Sequence, residues 1–175
     1  MIDWEEIVGR HGGIVWKTAY RVLGDHADAA DCFQETFLAA VKFSQRQEVR
    51  DWPALLQHLA TARAIDRLRR RISDAKHREA YADVSSVATG EPGPARRAEQ
   101  SELIDRLRQA LTKLPEQQAE VYCLRCINGL SYEQIAGQLG IGVNHVGVVL
   151  HRARTSLRTV LSPCMNTWKQ GADDE

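Results

Sequence analysis

Residues 131–154, SYEQIAGQLGIGVNHVGVVLHRAR, decide the fold of this chain. Ser131 followed three positions later by Gln134 is a capping box, which satisfies the orphan amides at a helix start. Ile135, Ala136 and Leu139 form an apolar stripe at helical spacing. Gly140 suits the left-handed residue that ends a helix, and Ile141 is placed to plug the gap before a second helix. That second helix turns Val146, Leu150 and Ala153 inward and ends in a basic turn, His151, Arg152 and Arg154. Two short helices in this order form a helix-turn-helix, whose second helix lies in the major groove of DNA. The pattern implies a protein that works by binding DNA rather than by turning over a small substrate.

The rest of the chain reads as helix. No extended run alternates and no Asn-Gly or Asp-Gly hairpin turn appears. A first helix is expected at about 4–23, with Ile7, Val8, Ile14, Val15, Ala19 and Val22 as core, although Gly12-Gly13 weakens its continuity. Asp25 caps a second, about 27–43, whose Asp28, Asp31 and Glu35 suit its positive N-terminal end. Residues 44–51, SQRQEVRD, form a polar loop. A third helix starts near Trp52-Pro53, since proline fits a first helical turn, and runs to about 72 or beyond. The stretch 84–95, VSSVATGEPGPA, is rich in Ser, Gly and Pro and reads as a linker. A fourth helix from 97–100 ends before Leu114-Pro115. A fifth follows over about 116–128, and Pro163 is expected to end the last one. The fold class is all-α: two small helical domains joined by a flexible linker, with bounds 1–82, 83–97 and 98–165 and a tail over 166–175.

Net charge is zero, with 23 basic and 23 acidic residues among 175. A DNA binder that acts alone tends to be basic, so neutrality favours one that acts with a partner. The charge is also uneven. Acids dominate the first forty residues, whereas residues 63–71 hold five arginines in nine positions, Arg63, Arg67, Arg69, Arg70 and Arg71. Such asymmetry suggests one surface for a protein and another for a polyanion. No apolar run is long enough to span a membrane, and MIDWEE lacks the parts of a signal peptide. A cytoplasmic location without membrane insertion is expected, with Cys32, Cys123, Cys126 and Cys164 as reduced thiols. Cys123-x-x-Cys126 lacks the further ligands a zinc site needs, so both are expected to behave as small hydrophobes in a helix. No Gly-rich phosphate loop, Ser/His/Asp set or metal cluster is visible. No catalytic residue, metal or cofactor is therefore expected, and the scattered His11, His26 and His58 read as surface or core residues.

Two blocks carry a resemblance. One is LGDHADAADCFQETFLAAVKF (23–43) with LLQHLATARAIDRLRRR (55–71). The other is LRQALTKLPEQQAEVYCLRCINGLSYEQIAGQLGI (107–141) with VLHRARTSLRTVL (149–161). In this order they resemble region 2 and region 4 of bacterial RNA polymerase sigma factors of the small extracytoplasmic-function (ECF) group. The resemblance implies a dissociable transcription initiation subunit, not an enzyme. Its partners would be core RNA polymerase (the β′ clamp coiled coil and the β flap), promoter DNA and an anti-sigma factor.

By the same resemblance, Asp28, Asp31, Gln34, Glu35 and Phe37 would dock on the polymerase clamp. Gln45, Arg46 and Gln47 would lie in the loop that captures a base flipped from the −10 element, a step that costs a few kcal/mol of unstacking. Arg63, Arg67, Arg69, Arg70 and Arg71 would hold promoter phosphates nearby. Ser131, Asn144, His145, Val148, His151, Arg152 and Arg154 would meet the −35 element.

The chain departs from the family pattern at several positions. The outward positions of the recognition helix usually hold polar or basic residues; here they are Asn144, His145, Val146, Gly147, Val148 and Val149, of which Val148 and Val149 cannot form bidentate hydrogen bonds to bases. Leu55 and Thr61-Ala62 replace an aromatic and an Arg-Asn pair, with Trp52 nearby. The alternative is a regulator of the response-regulator output type. It would need an α/β receiver, for which the N-terminal half has no strands.

Overall fold

The computed structural model describes the backbone over residues 2–81 and 95–170, and side chains over 2–77 and 101–161. Most of the expected linker, the end of the tail and the side chain of Cys164 lie outside the described residues. Seven α-helices make up the described chain, with no strand among them: α1 Trp4–Leu23, α2 His26–Ser44, α3 Trp52–Tyr81, α4 Ala95–Lys113, α5 Glu116–Tyr122, α6 Tyr132–Leu139 and α7 Val143–Gln170.

The ends of these helices follow from local chemistry. The Asp3 carboxylate accepts from the Glu6 amide at 3.0 Å and opens α1. Asp25 does the same for Asp28 at 2.9 Å on α2, and Asp51 for Ala54 at 2.9 Å on α3. A side-chain acceptor at this position is worth about 1 kcal/mol to a helix. Gly24 and Gly140 close α1 and α6 in the left-handed conformation. Gly12-Gly13 does not break α1. Gly12 is buried, and a Cβ there would sit 3.4 Å from the Phe33 ring, so the missing side chain lets α2 approach. Val8, expected in the core, is exposed, although helical spacing puts it on the face of Val15, Ala19 and Val22.

Two other expectations are corrected. Pro163 does not end α7, which runs on to Gln170. The proline ring removes one ladder bond but fixes φ near a helical value, so the backbone can continue. The fifth helix is not uniform either. Cys123–Ile127 forms a π-helical turn, closed by the Asn128 amide on the Cys123 carbonyl at 2.9 Å. The wider turn parts the two cysteines: Cys123 is buried and Cys126 exposed. Only Cys123 behaves as the expected small hydrophobe.

Three apolar clusters hold the helices together. Val15, Phe37, Ala40, Leu56 and Ala60 join α1, α2 and α3. Val121, Leu124, Ile135, Val146, Val149 and Leu150 join α5, the π turn, α6 and α7. The third cluster spans both halves, with Val22, Leu23, Ala29, Ile65 and Leu68 packed among Leu111, Leu114, Ala119, Ala153 and Leu157. The two helical units therefore share a core.

Candidate functional site

Three surfaces bring together the residues singled out by sequence. The first lies along α2 and α3. Arg67 reaches from α3 to three carboxylates on α2: Glu35 at 2.8 Å, Asp31 at 3.0 Å and Asp28 at 3.4 Å. Arg71 pairs with Asp28 at 2.8 Å and also donates to the Leu23 carbonyl at 3.2 Å. Burial works against the charge of Arg67, but the three acids together hold its pKa above the usual arginine value. The acids expected to meet a protein and two arginines expected to meet DNA are thus partners of each other. A shared network of partly buried charges is worth more than an isolated exposed pair, which contributes under about 1 kcal/mol.

Phe37 stands apart from this face. It is 8% exposed, packed with Val15, Leu56 and Ala60, and its ring lies 4.9 Å from that of Phe33. It anchors α2 against α1 and α3. Leu38 is the apolar residue on the outside, 62% exposed. Sequence reading missed it, although it falls three, four and seven positions after Glu35, Gln34 and Asp31, which is one helix face. Arg63 and Arg70 line a groove with Glu35, Leu38 and Lys42. Gln45, Arg46 and Gln47 follow α2 in an exposed turn. Trp52 packs edge-on against Trp4 at 5.3 Å, as a core residue does.

The second surface is the helix-turn-helix. Ser131 accepts from the Gln134 amide at 3.2 Å, while the Gln134 side chain accepts from the Ser131 amide at 2.8 Å. The Ser131 hydroxyl is therefore committed to the cap. Arg125 ties the π turn to α6 by donating to the Leu130 carbonyl at 2.8 Å and lying over the Tyr132 ring. On α7 the buried residues among those described are Val146, Val149, Leu150, Ala153 and Leu157. Val149 was expected to face outward; the helix turn that buries Val146 carries it into the core as well. Val143, Asn144, His145, Val148, His151, Arg152 and Arg154 are exposed, and Arg154 approaches the Cys126 sulfur at 3.7 Å.

The third surface is the seam between the two units, where polar contacts cap helix ends across the boundary. Arg108 of α4 donates to the Val22 carbonyl at 2.9 Å. Arg69 of α3 donates to the Leu114 carbonyl at 3.1 Å, and Arg21 of α1 to the Ile127 carbonyl at 3.3 Å. Cationic donors suit the negative C-terminal ends of helices. The Arg108 guanidinium sits so close to Gly24 that a Cβ there would collide with it. Nearby, His58 Nδ1 lies 3.6 Å from the Glu120 carboxylate. Burial, helped by Glu116 and Asp66, pushes the Glu120 carboxyl up to about 7 against the pull of Arg69. Burial also lowers the pKa of His58. This is one of the histidines that the sequence places only as surface or core residues.

Among the described residues no cluster of three or more His, Cys, Asp or Glu is placed to hold a metal ion, and no helix is long and apolar enough to cross a membrane.

Comparison with known proteins places the chain in a family. The family model for sigma-70 region 2 matches residues 7–72, and the model for sigma-70 region 4 matches 104–157. The ECF RNA polymerase sigma factor SigE of Mycolicibacterium smegmatis is 31% identical over 98% of this chain, which spans 66% of that relative's length. SigL of Mycobacterium tuberculosis is 32% identical, covering 86% of this chain and 84% of the relative. Among solved structures, CnrH in complex with the cytosolic domain of CnrY aligns with a TM-score of 0.55 at 25% identity, over 91% of this chain and 87% of that one. The sigma factor RpoE in complex with the anti-sigma factor NepR from Bartonella quintana shares the fold. It aligns with a TM-score of 0.51 at 19% identity, over 91% of this chain and 97% of that one.

Proposed function

The chain belongs to the sigma-70 family, in its ECF group of RNA polymerase sigma factors, and we propose that it acts as a dissociable initiation subunit. It binds core RNA polymerase in the cytoplasm, directs it to promoters with −10 and −35 elements, and assists melting. The observation that carries this reading is the order, in one chain, of a region 2 match over α1–α3 and a region 4 match over α4–α7. The chemistry of RNA synthesis stays with the polymerase; this chain supplies binding and position.

Within that role the outer face of α2, with Asp31, Gln34, Glu35 and Leu38, docks on the β′ clamp coiled coil, with Asp28 and Phe37 setting the helix in place. Gln45, Arg46 and Gln47 take the flipped −10 base, and Arg63 and Arg70 hold phosphates beside it. Region 4 rides on the β flap and offers α7 to the −35 element. The domain bounds we propose are 1–82 and 98–165. Arg67, Arg69 and Arg71 are engaged within the protein. The packed arrangement is accordingly a resting form, which opens on core polymerase and which an anti-sigma factor, such as the one bound to RpoE in its structure, would hold inactive.

Transcription from a promoter library with purified core polymerase tests the reading. Initiation that depends on this protein is expected. Absence of initiation together with absence of core binding would overturn it. Leu38→Arg, at a site open to solvent, should weaken core binding at least about tenfold, the scale of an interface anchor, with the thermal midpoint unchanged.

A further inference from the structure

The exposed side of α7 is unusual for a surface that reads bases. At ~100° per residue, Asn144, Val148 and His151 fall within an arc of about 60°, flanked by His145 and Arg152. All five are exposed, and Val148 is 47% open to solvent. Val146, Val149 and Leu150 fill the core behind them. Val148 is thus the apolar residue at the centre of this line, with a polar carboxamide one turn before it and basic residues one turn after it. Gly147 lies on the other flank. A Cβ there would meet only ordinary contact with Tyr132 at 3.6 Å, so packing does not demand the glycine. It nevertheless costs the helix stability relative to alanine, and it leaves no side chain to hold the backbone away from the groove.

Base-pair edges in the major groove differ in ways these groups can sense. Asn pairs bidentately with adenine N6 and N7, and an apolar side chain packs on the thymine methyl. The basic turn of His151, Arg152 and Arg154 supplies the charge that seats the helix on phosphates. We infer that α7 reads an adenine through Asn144 and a thymine methyl through Val148 in the upstream promoter element. Four residues along a helix span ~6 Å, about two base-pair steps at 3.4 Å each, so the two bases lie within two steps of each other. This rests on the initiation-subunit reading and adds the sequence chemistry of its upstream element.

The test uses holoenzyme reconstituted from core polymerase and the full chain. Selection from a library randomised over the upstream element should return a thymine with an adenine within two steps. Replacing that thymine by deoxyuridine removes only the methyl. Wild-type holoenzyme should lose about fourfold in promoter binding, the worth of one buried methyl group, whereas Val148→Ala holoenzyme should bind both promoters alike. Asn144→Ala should lose the adenine preference and keep the response to uracil. A selected element with no thymine at fixed spacing overturns the inference. So does an equal response of wild-type and Val148→Ala holoenzyme to uracil, the outcome expected if this face met a protein. Failure of the initiation-subunit reading would look different: no library member would support initiation and core polymerase would not be bound, which would remove the inference with it.

Discussion

Removing the Arg67 guanidinium would leave Asp28, Asp31 and Glu35 close together without a shared counter-charge. Arg67→Ala should destabilise the protein by about 1–2 kcal/mol, between the cost of breaking an exposed pair and that of breaking a buried one. The loss would be measured by chemical denaturation and should shrink in high salt. Asp31→Ala should cost under about 0.5 kcal/mol, because its side chain is 60% exposed and Arg67 keeps its other acids. Glu120 gives a pH dependence. Its carboxyl sits at about 7 in the folded protein against an ordinary 4.5. Between these values the folded state holds a proton that the unfolded state releases. The contribution of Glu120 is therefore full below 4.5 and is lost as pH rises through 7. His58 opposes this below its ordinary 6.5, since burial disfavours its charged form. Glu120→Gln removes the buried charge, so its advantage in stability over wild type should grow from pH 5 to pH 8, by about 1–3 kcal/mol. An advantage independent of pH would show that Glu120 titrates normally. Neither residue's partner was legible from sequence. Arg67 reads as one of a run, and its acids lie 32 to 39 positions away.

Among the elements, the helix-turn-helix was the most legible. Its capping box, its left-handed Gly140 and its inward Val146, Leu150 and Ala153 are all encoded within a turn or two of chain. Val149 and Cys126 were misplaced for complementary reasons. The angle of α7 against α5 and α6 decides that Val149 joins Val146 in the core. The π turn, one residue wider than the helix around it, carries Cys126 outward. Ser131→Ala should cost about 1 kcal/mol by loss of the cap, read as a lower midpoint for region 4. Gly147→Ala should instead stabilise the protein by about 0.5–1 kcal/mol, since the added methyl has room. A destabilised Gly147→Ala variant would mean that Tyr132 needs the space.

At the scale of the whole molecule, the decisive feature is the core shared by region 2 and region 4 and the arginines that cross it. The free protein should scatter as one compact body, with a radius of gyration near the ~16 Å expected for its length. Leu111→Asp buries a carboxylate at the centre of that core, and Arg108→Ala removes the cap on α1. Both should enlarge the radius and raise the affinity for core polymerase if the packed form is the resting one. A wild-type radius already enlarged to that of the Leu111→Asp variant would overturn the closed resting form.

Short stretches of chain encode most of the helices, the caps at Asp25, Ser131 and Gly140, the helix-turn-helix and the order of the two blocks that mark the family. Such signals are local: a cap needs three residues, an amphipathic stripe two turns, and neither depends on what the helix later packs against. Packing between distant helices makes Phe37 the anchor of α2 while Leu38 faces outward, and it gives Arg67 and Arg71 acids expected to serve a partner. It also decided that Glu120 meets His58 and that two units legible as separate domains bury one core between them. These outcomes depend on the angles and distances between helices far apart in the chain. Those are set by the joint packing of side chains such as Leu23, Ile65, Leu111 and Leu157, which no window of sequence contains.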